Sequence, residues 1–262
     1  MKPKIVILIT ATSFVAGTSS PAAVSIYAEY HLGETGSLGA NKRPINSSGD
    51  PGRNFTSDTT GGSATVFTGD VFAPGSTAYL STAGSAGEGW YGADLAGLGV
   101  APNDFAYGVY ARSFANTLGG NNSTTTQGNV FLLGSAGISL TSNGWEAPAL
   151  GASGAFTANE WVHLAVIRSA GISTFYINSV PQAGTSSIAP LVGGVHLSVN
   201  PGGGTNFDGD LDEARVVTFT SGESTTNILN ALQAVPEPGS ALLSGLGGLG
   251  LLLRRRRHQP TA

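Results

Sequence analysis

Cysteine is absent from all 262 residues. That removes disulfide staples, thiolate metal sites and cysteine nucleophiles, so the fold must rest on one hydrophobic core and on ion pairs or bound ions. Charge is scarce too, at 11% Asp, Glu, Lys and Arg together. Basic residues are the scarcer sign in the body. Six of the twelve sit at the chain ends (Lys2, Lys4, Arg254–Arg257), and Lys42, Arg43, Arg53, Arg112, Arg168 and Arg215 face fifteen acids between residues 26 and 234. The body therefore carries a net charge of −9. It has no basic stripe to neutralise phosphates, which argues against a nucleic-acid partner. His-Glu-x-x-His and Gly-x-Ser-x-Gly signatures are also missing, and Gly202-Gly203-Gly204 has neither a lysine nor a following helix to make a phosphate loop.

Long apolar runs occur only at the ends. Lys2 and Lys4 precede an apolar stretch from Ile5 to Ala16 and then small residues from Gly17 to Ala23. That is the layout of a secretory signal peptide over residues 1–25, with cleavage acceptable after Ser25 or after Ala22. At the other end, Val235-Pro236-Glu237-Pro238 is followed by fifteen uncharged residues, Gly239 to Leu253, and then by Arg254, Arg255, Arg256 and Arg257. Arginines beside an apolar segment stay on the cytoplasmic side, which puts the body across the membrane. As a helix the run reaches only about 22 Å against roughly 30 Å of hydrocarbon. A short span rich in glycine is better suited to holding a protein for processing than to anchoring it permanently.

This three-part tail, residues 235–258, resembles the PEP-CTERM sorting signal of exopolysaccharide-associated bacterial proteins. The resemblance implies recognition by a membrane-embedded exosortase, membrane contact through the span, removal of the tail, and delivery to the cell surface or extracellular matrix.

Between the two signals the apolar residues recur with period two. Ile26, Ala28, Tyr30 and Leu32 alternate with Tyr27, Glu29 and His31. Further strand patterns run over Ala64–Thr68, Ala78–Ser81, Phe105–Arg112, Val130–Gly134, Gly137–Thr141, Trp161–Ser169, Ser173–Asn178, Val195–Val199 and Leu211–Phe219, separated by Gly, Asn, Ser and Pro clusters. Many short strands with regular turns predict an all-β sandwich or barrel. Glu223–Ala234 is the one helix pattern, with Ser221 or Ser224 as its cap and Ile228, Leu229 and Leu232 as its buried stripe.

The order Glu160-Trp161-Val162-His163-Leu164-Ala165-Val166, Thr174-Phe175-Tyr176-Ile177-Asn178 and Phe207-Asp208-Gly209-Asp210-Leu211-Asp212-Glu213-Ala214-Arg215 resembles the LamG-like jellyroll of the concanavalin A-like lectin/glucanase group. It implies an antiparallel jellyroll β-sandwich over residues 26–234, closed by the short helix and followed by a transmembrane segment. Ser179 stands where that family's hairpin glycine is usual, which weakens the case for a tight type I′ turn.

Four acids within six residues, Asp208, Asp210, Asp212 and Glu213, need a compensating cation or arginine. One reading is calcium held by Asp208 and Asp210 with loop carbonyls. Another pairs Asp212 and Glu213 with Arg215, Arg168 or backbone amides. A third follows the Glu-x-Asp-x-x-Glu spacing of laminarinase-type glycosidases, which Asp208-x-Asp210-x-x-Glu213 keeps. Asp208 is one methylene short for a nucleophile that must sit about 5–5.5 Å from its partner acid. The expectation is a binding domain for polysaccharide or a matrix protein, without catalytic residues; glycoside hydrolysis and a purely structural biofilm role are the alternatives. Trp90, Tyr91 and Trp145 lie in polar, turn-rich context and suit either sugar stacking or the core. The tail reading predicts that Arg254–Arg257 are missing from protein recovered at the cell surface. Intact mass spectrometry checks this, and a mature chain that kept those arginines would contradict it.

Overall fold

Alternating apolar residues of the body close into two antiparallel sheets stacked face to face. The computed structural model describes residues 24–59, 64–82, 88–98, 103–114, 126–133, 136–187, 194–199 and 207–233. The predicted signal peptide up to residue 23, Pro236-Glu237-Pro238, the apolar run 239–253 and Arg254–Arg257 lie outside the described residues. The strands are β1 (Val24–Tyr30), β2 (Ser57–Asp58), β3 (Thr65–Thr68), β4 (Ala78–Ser81), β5 (Trp90–Asp94), β6 (Phe105–Arg112), β7 (Thr126–Leu133) and β8 (Ala136–Thr141). They continue with β9 (Gly144–Ala147), β10 (Ala152–Gly154), β11 (Val162–Ser169), β12 (Ile172–Ile177), β13 (Val180–Ser186), β14 (Gly194–Leu197) and β15 (Asp210–Phe219), and helix α1 (Thr225–Gln233) follows.

The first sheet runs β13-β12-β11-β6-β15-β4-β3, with β1 also paired to β15, and the second runs β10-β9-β8-β7-β14-β5-β2. This is a jellyroll sandwich. Its shared core holds Trp90, Trp145, Tyr107, Phe131, Phe175 and Phe207 among many aliphatics. β15 organises the first sheet. One edge pairs with β6 throughout. The other pairs with β4 at Asp210 and Leu211, then with β1 from Ala214 to Phe219. At the changeover the register slips between Asp212 and Ala214, and Glu213 takes a positive φ of 43°. That bulge turns Glu213 to the same outer face as its neighbours Asp212 and Arg215.

Helix α1 covers half of that outer face. Ile228, Leu229 and Leu232 pack on Ala106, Ala165, Ile167, Val217 and Phe219. Ser224, not Ser221, caps it, accepting from the Asn227 amide at 3.1 Å.

Five strands, β2, β5, β9, β10 and β13, fall outside the predicted runs. β13 is an exposed edge strand containing Pro181, so it has no buried face to impose alternation. β5 and β9 are short and glycine-bearing, and each hides a single tryptophan. The hairpin between β12 and β13 is tight despite Ser179. Asn178 and Ser179 adopt φ of 48° and 67°, and Ile177 pairs directly with Val180. The Asn178 side-chain oxygen accepts from the His163 amide at 2.8 Å, which helps hold this left-handed corner without glycine.

Strand β1 already includes Val24 and Ser25, which pair with Phe219 and Thr218. Of the two acceptable leader cuts, the one after Ala22 leaves β1 whole. N-terminal sequencing of the exported protein is expected to begin at Ala23, and a start at Ile26 would contradict this.

Candidate functional site

Alternation on β15 sends Leu211, Ala214 and Val216 into the core and Asp210, Asp212, Arg215 and Val217 to the outer face. The outward charges are buried beneath neighbouring segments, and each finds its own partner. Asp210 Oδ2 accepts from Arg112 Nε at 2.9 Å and lies 2.8 Å from Nη2, while the same guanidinium pairs with Asp70. Arg112 thus supplies positive charge beside Asp210. Asp208 contributes its backbone carbonyl to Ser113 Oγ at 3.1 Å. Arg215 is fully buried, forms an ion pair with Glu29 of β1, and donates to the Ala231 carbonyl of α1 at 3.0 Å. Glu213 holds His31 Nδ1 at 2.7 Å, and His31 Nε2 lies 3.5 Å from Glu29.

Glu29, His31 and Glu213 are spaced closely enough to ligate a metal. Their charges already balance without one: two carboxylates face Arg215 and a histidine whose pKa is raised to about 10 by its bonds to Glu213 and Glu29. Burial pulls the Glu29 carboxyl up, but His31, Arg215 and Ser47 outweigh it and hold it below the ordinary range. Next to this group His163 packs on Tyr110 with ring centroids 4.7 Å apart, in space left open by Gly108, where a Cβ would meet His163 Nε2 at 2.9 Å. Burial, with Arg215 nearby, lowers His163 to about 3 and keeps it neutral. Apart from Asp212, the carboxylates of this row are ion-paired and under cover.

The second sheet offers a different outer face. Trp90 and Trp145 are both 0% exposed and lie in the shared core, so neither can stack on a sugar ring. Period two explains this: the residue after Trp90, Tyr91, points outward and is 38% exposed. Tyr91 pairs across the sheet with His196, and their rings stack at 6.2 Å and 16°. The same row continues through Leu132 to Gly137. A side chain at Gly137 would strike Leu132 at 2.8 Å and approach Asn129 at 3.3 Å, so glycine keeps the floor flat there. The neighbouring row, Asn129, Ser139, Glu146 and Ser153, is polar. Burial lowers the pKa of His196, and its Nδ1 has no hydrogen-bond partner. A flat aromatic pair beside hydroxyl, amide and carboxylate groups is suited to a ring with one apolar C–H face and hydroxyls at its rim.

Residues 93–222 match the model of the concanavalin A-like lectin/glucanases superfamily, and residues 234–257 match that of the PEP-CTERM protein-sorting motif. The chain carries a concanavalin A-like domain followed by a PEP-CTERM sorting motif. Strands β1 to β4 extend this domain on the N-terminal side of the matched region. Among solved structures, domain 4 of AbnA, a GH43 extracellular arabinanase from Geobacillus stearothermophilus solved with arabinotriose, is similar at 18% identity and a TM-score of 0.54. That alignment covers 80% of this chain and 99% of the domain. Trypanosoma rangeli sialidase in complex with the inhibitor DANA aligns at 13% identity and a TM-score of 0.51, over 87% of this chain but only 35% of the sialidase. Likenesses this distant establish the fold alone. No curated protein matches the chain. The sorting motif marks the protein for export and for membrane-anchored sorting toward the cell surface by an exosortase-type system.

Within the concanavalin A-like domain, Asp212 differs from its neighbours. It is fully buried, its Oδ1 lies 3.0 Å from Ser76 Oγ, it accepts from the Ala73 amide, and no cation is paired with it among the described residues. Burial first, and then the charge of Glu213, raise its pKa to about 8, so it is neutral at pH 7. Its folded pKa exceeds the unfolded 3.8, so the folded state binds the extra proton and stability falls as pH rises from 3.8 through about 8. Asp212→Asn imitates the neutral form. Urea unfolding at pH 6 and pH 9 is expected to show the variant losing less stability than the native chain over that interval, by a few kcal/mol. His31 titrates in both proteins and cancels. An equal loss in the two would overturn the assignment.

Proposed function

We propose that this protein is a sorted surface or matrix component whose concanavalin A-like domain binds polysaccharide, without calcium and without hydrolysing it. The observation that carries the reading is the stack of exposed Tyr91 on half-buried His196 on the outer face of the second sheet. An aromatic face buries the C–H side of a sugar ring, and the polar row beside it offers hydrogen-bonding groups to the hydroxyls. The domain's negative charge favours a neutral or basic glycan over an acidic one. The arabinotriose in the similar arabinanase domain is consistent with a sugar-binding use of this fold.

Ion pairing of Asp210 with Arg112 and of Glu213 with His31 supports the non-catalytic and calcium-free parts of the reading. A carboxylate clamped by a guanidinium is a poor nucleophile and a poor cation ligand. Residues 23–234 on a glycan array are expected to give hits that persist in EDTA and are lost in Tyr91→Ala and weakened in His196→Ala. A flat array would sink the glycan reading in favour of a matrix-protein partner. Hits lost in EDTA would return calcium to the site.

A further inference from the structure

At one end of the first sheet's outer face lies an aromatic cluster unlike anything on the second sheet. Tyr79, Tyr110 and Trp161 form its buried floor. Phe72 packs edge-on against Tyr110 at 5.7 Å, and Phe67 stacks on Tyr79 at 5.5 Å. Arg112 bridges Trp161 and Phe114, lying 4.7 Å and 5.8 Å from their ring centres. The three rim phenylalanines are 45% (Phe67), 51% (Phe72) and 49% (Phe114) exposed. An apolar rim of this kind on a secreted domain marks an interaction surface.

Helix α1 bears on what meets it. The helix runs along the outer face from Val217 and Phe219 toward His163, where Gln233 lies 3.2 Å from the imidazole. His163 in turn packs on Tyr110, the ring beneath Phe72. The chain therefore leaves the domain pointing at the aromatic end. From Gln233, five residues, two of them proline, lead to the first residue of the apolar run, Gly239. Even fully extended, the six steps from Gln233 to Gly239 reach at most roughly 22 Å.

We propose that the Phe67–Phe72–Phe114 rim docks the domain on a lipid bilayer while the sorting tail holds it there. The inference rests on the tail entering the membrane. Exposed aromatic rings bury at the boundary between headgroups and acyl chains, and a linker this short keeps the aromatic end near that depth. The net charge of the body directs the docking to zwitterionic rather than anionic lipid. The Tyr91–His196 face, on the other sheet, then looks away from the membrane.

The absence of cysteine permits a clean test. The full chain bearing Phe72→Cys or Ser153→Cys is labelled with an environment-sensitive dye and reconstituted in phosphatidylcholine vesicles, with and without brominated acyl chains. Ser153 is exposed on the second sheet and serves as the far-side control. Flotation of the chain with vesicles reports insertion of the tail by itself. The expected result is a blue shift and several-fold stronger bromine quenching at position 72 than at 153, abolished by adding Phe67→Ser and Phe114→Ser. Equal quenching at the two positions in floated protein overturns the docking and leaves the tail reading intact. A blue shift at 72 that depends on protein concentration rather than on vesicles assigns the rim to a second copy of the chain and also overturns it. Failure to float removes the tail's insertion and the docking together.

Discussion

A guanidinium with no exposure to water sits near the middle of the first sheet, and much of the molecule is arranged around neutralising it. Arg215 cannot be buried alone, since an unpaired charge in such a place costs several kcal/mol. Glu29 supplies the countercharge, which requires β1 to lie beside β15 in its observed register. The Ala231 carbonyl supplies a hydrogen bond, which fixes the last turn of α1 over the sheet. Glu29 in turn needs His31 close by, and Glu213 completes the balance only because the bulge rotates it outward. One buried arginine thus ties the first strand, the last strand and the helix that leads to the sorting tail.

The two outer faces have diverged as a consequence. On the first sheet, α1 and the segment before β4 lie over the charged row, and the aromatic end beside them is open. On the second sheet the face keeps a flat polar floor with one aromatic pair. The acids that drew notice in the sequence belong to the covered face. Their density reflects mutual neutralisation by Arg112, His31 and Arg215, partners found near in space but not always near in sequence.

That distinction also explains what could be read without coordinates. Strands such as β6, β11 and β15 were legible because they are buried along almost their whole length, which demands long apolar-rich runs bounded by turn residues. The helix was legible from its buried stripe. β13 was not, since an exposed edge strand places no demand on its side chains. The tryptophans misled because their neighbours are small and polar; the alternation that hides Trp90 is the one that presents Tyr91. Asp210 and Arg112 lie ninety-eight residues apart, and Glu213 and His31 one hundred and eighty-two, so no local spacing announces these pairs. The tail was wholly legible, because its message is carried by order and composition rather than by packing.

The tail's transience bears on how strong the aromatic contact has to be. Three half-exposed phenylalanines bury too little area to hold a free acidic domain on zwitterionic lipid for long. Held by a linker of five residues, the same rim works at an effective concentration in the millimolar range or above, where a weak contact is enough. Cutting the tail removes that advantage without altering any residue of the rim. The proposed docking is therefore a property of the tethered form, and release from it needs no conformational change in the sandwich. The proposed glycan face gains nothing from the tether, because it lies on the other sheet, and binding there is expected before and after the cut.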